Sequence, residues 1–114
     1  MNIVKFAGSL TYALPQHDGI IMRQLQGGEA SSADFVLVGH ATFPPCAGVP
    51  MGVALAGMVY VVAIGELTVA QSDDVRHVLT QGDSVFVPAN EASAVLNDSG
   101  RAAALIVITL PQAK

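Results

Sequence analysis

The sequence predicts an all-β protein, a sandwich or barrel of many short strands. Segments rich in Val, Ile, Thr, Phe and Tyr are separated by turn tracts of Gly, Pro, Asn and Asp, which is typical of strands joined by tight turns. No segment keeps a helical period over a window of about 11 residues. Strands are predicted at residues 3–6, 19–26, 34–43, 57–64, 66–71, 75–80, 84–88, 92–97 and 102–110.

Two stretches are too irregular to be predicted as strands. Residues 44–58 contain three prolines, Cys46 and closely spaced glycines and alanines, which predicts a loop at the mouth of a barrel. Residues 7–18 contain Tyr12 and His17 and are irregular as well. The length of 114 residues fits one domain, so a single domain over the whole chain is expected.

The low charge content predicts association between copies of the chain. Hydrophobic residues make up 52% and charged residues 12% of the chain, which is half of the ~25% charged residues that are usual for soluble domains. Residues 35–65 contain no Asp, Glu, Lys or Arg. Because exposed apolar surface of this extent marks association sites, a homodimer is predicted.

Composition also excludes several classes of partner. The net charge is −4 and the five Lys and Arg residues are scattered, so we expect no nucleic-acid binding. Prolines and glycines interrupt the charge-free stretch, so no membrane span is expected there. The N-terminus does not resemble a secretory signal, and the single cysteine, Cys46, fits a reducing compartment. A cytoplasmic protein is therefore predicted.

Residues 82–97 contain a glycine, a proline six residues later and an asparagine nine residues after the proline. Gly82 is followed by Pro88 and then by Asn97, with Ser93 between the last two. This spacing resembles the second signature of the cupin family, in which a metal-ligating histidine occupies the position of Ser93. The resemblance covers about residues 34–110 and implies a cupin-like double-stranded β-helix, the jelly-roll barrel.

The first cupin signature has a counterpart in the strand that precedes Gly65. In the family, three metal ligands precede this glycine by seven, eleven and thirteen residues, positions that hold Met58, Ala54 and Gly52 here. With Ser93 at the fourth position, the resemblance implies a cupin whose usual metal site lacks its ligands. We therefore predict neither a metal nor another cofactor.

Small side chains at the former ligand positions predict a cavity inside the barrel. Side chains alternate along a strand, so Met58, Tyr60, Val62 and Ile64 are predicted to share one face. The cupin resemblance implies that this face points into the barrel, because Met58 occupies a ligand position. Such a pocket suits a small apolar or aromatic molecule, although small barrels also fill their interiors with side chains. The predicted ligand-binding residues are Met58, Tyr60, Ser93, Val95, Gly52 and Ala54.

Three residues are candidates for acid–base chemistry: His40, Tyr60 and Glu91. The first hypothesis is a metal-independent binding protein for a small apolar or aromatic molecule. The second is a metal-independent isomerase, cyclase or lyase that uses these three residues, and the third is a structural or interaction module without a ligand. His40 facing Tyr60 or Glu91 inside the barrel would favour the enzyme, whereas His40 in an interface would favour binding or structure.

Overall fold

The computed structural model describes residues 1–111, which form ten β-strands in two antiparallel sheets after one 3-10 turn at Phe6–Gly8. The prediction of an all-β fold is confirmed. The domain is predicted to extend to residue 114, but its last three residues lie outside the described part. The strands are β1 (Thr11–Tyr12), β2 (Ile21–Gln26), β3 (Leu37–Phe43), β4 (Gly48–Gly52), β5 (Met58–Ile64), β6 (Glu66–Gln71), β7 (Arg76–Thr80), β8 (Ser84–Val87), β9 (Ser93–Leu96) and β10 (Ala103–Thr109).

The two sheets pack as the halves of a jelly roll. The larger sheet has the order β1-β2-β3-β10-β5-β8, and the smaller has the order β4-β9-β6-β7. The chain therefore crosses from one sheet to the other six times, after β3, β4, β5, β7, β8 and β9. This connectivity places strands that are distant in sequence side by side, such as β10 between β3 and β5.

The core lies between the inner faces of the two sheets. Phe43, Val62, Leu67 and Leu105 are almost completely buried there. Because side chains alternate along each strand, the register that aligns Ala41, Leu105 and Val62 across three strands turns all of them inward. Burying one large apolar side chain contributes about 1.5–3 kcal/mol.

Gly65, Gly82 and Asn90 occupy turns with a left-handed backbone. Gly65 has φ 78° and Gly82 has φ 91°. A Cβ at Gly65 would also lie 3.0 Å from the carbonyl oxygen of Ala102. Asn90, which stands where the cupin pattern usually has glycine, has φ 66°, and asparagine tolerates this conformation better than most residues.

Residues 44–58 contain a strand, so their prediction as a continuous loop was wrong. β4 pairs with β9, and Gly48 lies opposite Leu96. This ladder depends on a partner strand about 45 residues away, and such pairing overrides the weak local preference of glycine and proline. Cys46 lies in the exposed turn before β4, where its N–H donates to the carbonyl of Asn97 at 2.9 Å.

The strand prediction near the N-terminus was also wrong. The segment 3–6 is not a strand, whereas Thr11 and Tyr12 form β1 within a stretch predicted to be irregular.

The pairing of β5 with β10 shifts register between Ala104 and Leu105. This bulge turns Ile64 outward, with 60% of its surface exposed, so Ile64 does not share the inner face with Tyr60.

Among residues 1–111, no helical segment has the length and apolar character needed to cross a lipid bilayer.

Candidate functional site: a cavity inside the barrel

A cavity of about 690 Å³ lies between the two sheets. Its walls come from strands β1 to β5 and β8 to β10, and its rim from the loops that contain Gly28, Val53 and Glu91. Ligand pockets usually measure about 300–1,000 Å³. The barrel interior is therefore not completely filled by side chains and has room for a small molecule.

All six predicted ligand-binding residues line this cavity: Gly52, Ala54, Met58, Tyr60, Ser93 and Val95. β5 contributes Met58 and Tyr60 two residues apart on its inner face, and β9 contributes Ser93 and Val95 in the same way. Gly52 pairs with Ser93 across the ladder between β4 and β9. The structure brings these residues together as the motif spacing predicts, and their contact with a ligand stays a prediction.

Tyr60 provides a protonated phenol inside the cavity. It is 9% exposed, and its hydroxyl lies 3.8 Å from the sulfur of Met58. Burial raises the pKa of Tyr60 above its usual value of 10.0, because removal from water disfavours the phenolate. At neutral pH this hydroxyl is therefore available to donate a hydrogen bond to a ligand oxygen.

Tyr12 also lines the cavity, and burial raises its pKa as well. Its hydroxyl lies against the backbone of Gly39, where an added Cβ would lie only 2.6 Å from the hydroxyl oxygen. The close approach of the Tyr12 side chain to β3 therefore requires glycine at position 39.

Polar lining residues on β2 were not among the predicted site residues. Gln24 and Gln26 line the cavity together with Met22. The alternation of Met22, Gln24 and Gln26 along a predicted strand was the signal available in the sequence. This alternation alone did not assign Gln24 and Gln26 to the site, because the site was predicted from the cupin resemblance, which begins only at about residue 34.

The charged groups around the cavity are acidic. Glu29 and Glu91 lie among the lining residues, whereas no Lys or Arg within residues 1–111 does so. His17 also lines the cavity, and its Nδ1 lies 2.8 Å from the carbonyl oxygen of Pro15. The electrostatic environment therefore disfavours an anionic ligand.

His40 is not part of the cavity, which corrects its selection as a candidate acid or base beside Tyr60 and Glu91. It faces the opposite side of β3, where its ring meets that of Phe6 edge-on at 4.8 Å between centroids. Burial and, to a smaller extent, Arg23 lower the pKa of His40. Of the three candidates, only Tyr60 and Glu91 line the same cavity.

Cys46 does not lie at the mouth of the barrel, which corrects that prediction. It lies beside Asn97 at the ends of β3 and β9, whereas Gly28, Val53 and Glu91 lie near the opposite ends of the barrel strands. Its exposed thiol and the cavity are therefore separate features.

The side chains at the four family ligand positions do not fit a transition metal. Gly52 and Ala54 offer no donor atom, Met58 offers a thioether and Ser93 a neutral hydroxyl. First-row metals in proteins are held mainly by imidazole, thiolate and carboxylate groups. In the described part of the chain, no three His, Cys, Asp or Glu residues are grouped so that they could hold a metal ion.

The family model described as a cupin domain matches residues 56–109, the segment from β5 to β10 that contains both Gly65 and the spacing Gly82, Pro88 and Asn97. Residues 56–109 of this chain belong to the cupin family. The resemblance noted in the sequence is thereby confirmed, and so is the cupin jelly-roll fold.

Solved structures resemble this cupin over most of its length. The polyketide cyclase RemF from Streptomyces resistomycificus superposes with a TM-score of 0.85 at 16% identity, covering 96% of this chain and 79% of RemF. An RmlC-like cupin from Shewanella frigidimarina gives 0.79 at 19% identity, covering 100% and 94%. A predicted oxalate decarboxylase from Thermotoga maritima gives 0.79 at 16% identity, covering 96% and 98%. No curated protein sequence matches the chain.

Proposed function

We propose that this cupin binds an uncharged, mainly apolar or aromatic small molecule inside its barrel without the help of a metal. The observation that carries the proposal is the cavity of about 690 Å³ that is lined by all six residues predicted from the motifs. In a purely structural module a cavity of this size would be unexpected, because protein interiors are normally close-packed.

The proposed ligand is uncharged because the cavity lacks groups that would neutralise an anion. Glu29 and Glu91 are the charged residues found among the described lining residues. Transferring an unpaired carboxylate from water to such a site is costly. Tyr60 and Ser93 instead provide neutral hydroxyl groups, and Gln24 and Gln26 provide amides, which suit the hydroxyl or carbonyl oxygens of an aromatic molecule.

The test compares two probes that share a ring system and differ in charge. We expect 2-naphthol to bind in isothermal titration calorimetry at pH 7, and 2-naphthoate to bind at least about tenfold more weakly, a difference of about 1.4 kcal/mol. Failure of both probes to bind would contradict an aromatic-sized binding cavity. Tighter binding of 2-naphthoate would contradict the uncharged ligand.

The second candidate function is a metal-independent cyclase or isomerase. It is favoured by the presence of Tyr60 and Glu91 in one cavity. A fold likeness to a polyketide cyclase with a TM-score of 0.85 agrees with it. In this hypothesis Glu91 removes a proton from a carbon next to a carbonyl, and the Tyr60 phenol donates a hydrogen bond to the developing enolate oxygen. Chemical change of a bound β-polycarbonyl compound, lost in a Glu91→Gln variant, would distinguish this enzyme from a binding protein.

Metal independence makes its own prediction. We expect elemental analysis of the purified, tag-free protein to find zinc, iron, manganese, nickel and copper each at well below one atom per chain, because Gly52, Ala54, Met58 and Ser93 replace the family ligands. A stoichiometric metal that survives brief treatment with a chelator would contradict the proposal, even if the aromatic probes bind.

A further inference from the structure

We propose that Tyr12 is a specificity-determining residue of the barrel cavity, and that its hydroxyl, together with that of Tyr60, selects an aromatic ligand with a hydrogen-bond-accepting oxygen at each end. This inference rests on the proposed function, because it names the class of uncharged ligand that the same cavity takes. Tyr12 lies on β1, before the part of the chain that resembles the cupin signatures, yet it lines the cavity.

One row of paired residues on the inner face of the larger sheet forms part of the cavity wall. The ladder aligns four cavity-lining residues in order across β2, β3, β10 and β5: Gln24, Gly39, Val107 and Tyr60. Neighbouring strands lie about 4.8 Å apart, so Gly39 and Tyr60 are separated by roughly 10 Å, with Val107 between them. The row therefore offers an apolar surface for a ring system between two positions on β3 and β5.

The Tyr12 hydroxyl occupies the place that a side chain at position 39 would take. β1 pairs with β2 so that Tyr12 lies opposite Met22, and the Tyr12 side chain reaches past β2 to β3. A Cβ on Gly39 would lie 2.6 Å from the hydroxyl oxygen and 3.6 Å from the ring carbon that carries it. The absence of a side chain at Gly39 thus lets the Tyr12 hydroxyl lie on the other side of Val107 from Tyr60.

Both hydroxyl groups are available to a ligand. Among residues 1–111, the Tyr12 hydroxyl has no hydrogen-bond partner, and the Tyr60 hydroxyl has the sulfur of Met58 at 3.8 Å. A thioether is a weak acceptor. Burial raises the pKa of both phenols, so each keeps its proton at neutral pH and can donate a hydrogen bond.

Two neutral donors beside an apolar surface suit one class of molecule. An oxygen at each end of the ligand accepts a hydrogen bond from one phenol, and the rings between them contact Val107. A site built to form hydrogen bonds discriminates strongly against an analogue that lacks the bonding group, because the polar group of the site is then left unpaired. Tyr12 therefore favours an aromatic diol, hydroxyketone or diketone over an aromatic molecule with a single oxygen.

The experiment measures what a second oxygen adds to affinity with and without the Tyr12 hydroxyl. 2-Naphthol carries one oxygen, and 2,6- and 2,7-dihydroxynaphthalene carry a second one on the far ring. In isothermal titration calorimetry at pH 7, we expect at least one of the diols to bind the wild type about fivefold more tightly than 2-naphthol does. Tyr12→Phe keeps the ring, and it should weaken binding of that diol at least about tenfold but binding of 2-naphthol less than about threefold.

Gly39→Ala tests the same contact from the neighbouring strand. Gly39 is not among the glycines with a positive φ, so alanine fits its backbone, and the added Cβ displaces the Tyr12 hydroxyl. We expect the same selective loss for the diol, and no further loss when Gly39→Ala is combined with Tyr12→Phe. The control is Gly8→Ala, whose Cβ would meet no atom within 4 Å and which should bind the probes as the wild type does. All variants should keep the wild-type circular dichroism spectrum.

The outcomes separate this inference from the proposed function. If 2-naphthol binds and neither diol binds more tightly, or if Tyr12→Phe leaves the affinity for the diol unchanged, the role of Tyr12 is overturned while the binding cavity stands. Equal weakening of 2-naphthol and the diol by Tyr12→Phe would also overturn it, since a changed cavity shape rather than a lost donor would explain the result. Failure of all three probes to bind the wild type would overturn both the inference and the proposed function.

Discussion

Replacing Asn97 with alanine is expected to lower the free energy of unfolding by about 3 kcal/mol, because buried hydrogen-bonding groups would lose their partners. Asn97 is 0% exposed. Its Nδ2 donates to the carbonyl oxygens of Phe43 at 2.9 Å and Arg101 at 2.6 Å, and its Oδ1 accepts from the Ser99 hydroxyl at 2.7 Å. One side chain thus connects the turn after β3 with the turn between β9 and β10.

The measurement is urea-induced unfolding followed by circular dichroism, with Ser99→Ala as the matched control. Ser99→Ala removes one hydroxyl from the same cluster but leaves the Nδ2 hydrogen bonds of Asn97 intact, so we expect a loss of about 1 kcal/mol or less. An Asn97→Ala variant as stable as Ser99→Ala would show that these bonds do not secure the two turns. Because Asn97 is not among the cavity-lining residues, the folded fraction of the variant should still bind 2-naphthol.

Much of the site could be predicted because it depends on regularities that are local in sequence. Strand alternation places Met58 and Tyr60 on one face whatever the partner strand is. The spacing of Gly82, Pro88 and Asn97 fixes the position of Ser93 in the next strand. Gly65 and Gly82 adopt the left-handed conformations that their turns require. These short-range constraints explain why the six predicted lining residues are found together.

The features that could not be predicted depend on pairing between distant segments. His40 faces outward because β3 is held in register by β10, with His40 opposite Ile106, and nothing near His40 in sequence specifies this choice. Ile64 turns outward because of a bulge that exists only in the pairing of β5 with β10. β4 forms because β9 provides its partner. In each case long-range contacts decide what local propensity leaves open.

The outward position of His40 changes how the two functional hypotheses compare. The enzyme hypothesis was strongest with an imidazole beside Tyr60, since histidine titrates near neutral pH. The cavity instead offers a phenol with a raised pKa and the carboxyl group of Glu91. These groups can form hydrogen bonds with a polar group of a ligand, whereas proton transfer also requires a substrate of suitable acidity, so ligand binding requires fewer assumptions.

Replacing Ser93 with phenylalanine is expected to reduce the affinity for 2-naphthol by at least about 100-fold, or about 2.7 kcal/mol, while changing stability by less than about 1 kcal/mol. Ser93 lines the cavity at the position of the family histidine, opposite the strand that carries Met58 and Tyr60. A phenyl ring there would occupy the volume that the ligand needs. In a filled core the same substitution would cost about 1–3 kcal/mol through overpacking, so stability and binding report on the cavity separately.

The control is Ser72→Phe, which makes the same change in the exposed turn between β6 and β7 and should alter neither binding nor stability. Calorimetric titration and urea unfolding of both variants test the expectation. A loss of more than about 2 kcal/mol on Ser93→Phe would indicate an interior too tightly packed to accept a ligand. A stable Ser93→Phe variant that binds 2-naphthol as the wild type does would place the binding site outside the barrel. Loss of binding in a stable variant would show that the volume vacated by the family histidine is the volume that the ligand occupies.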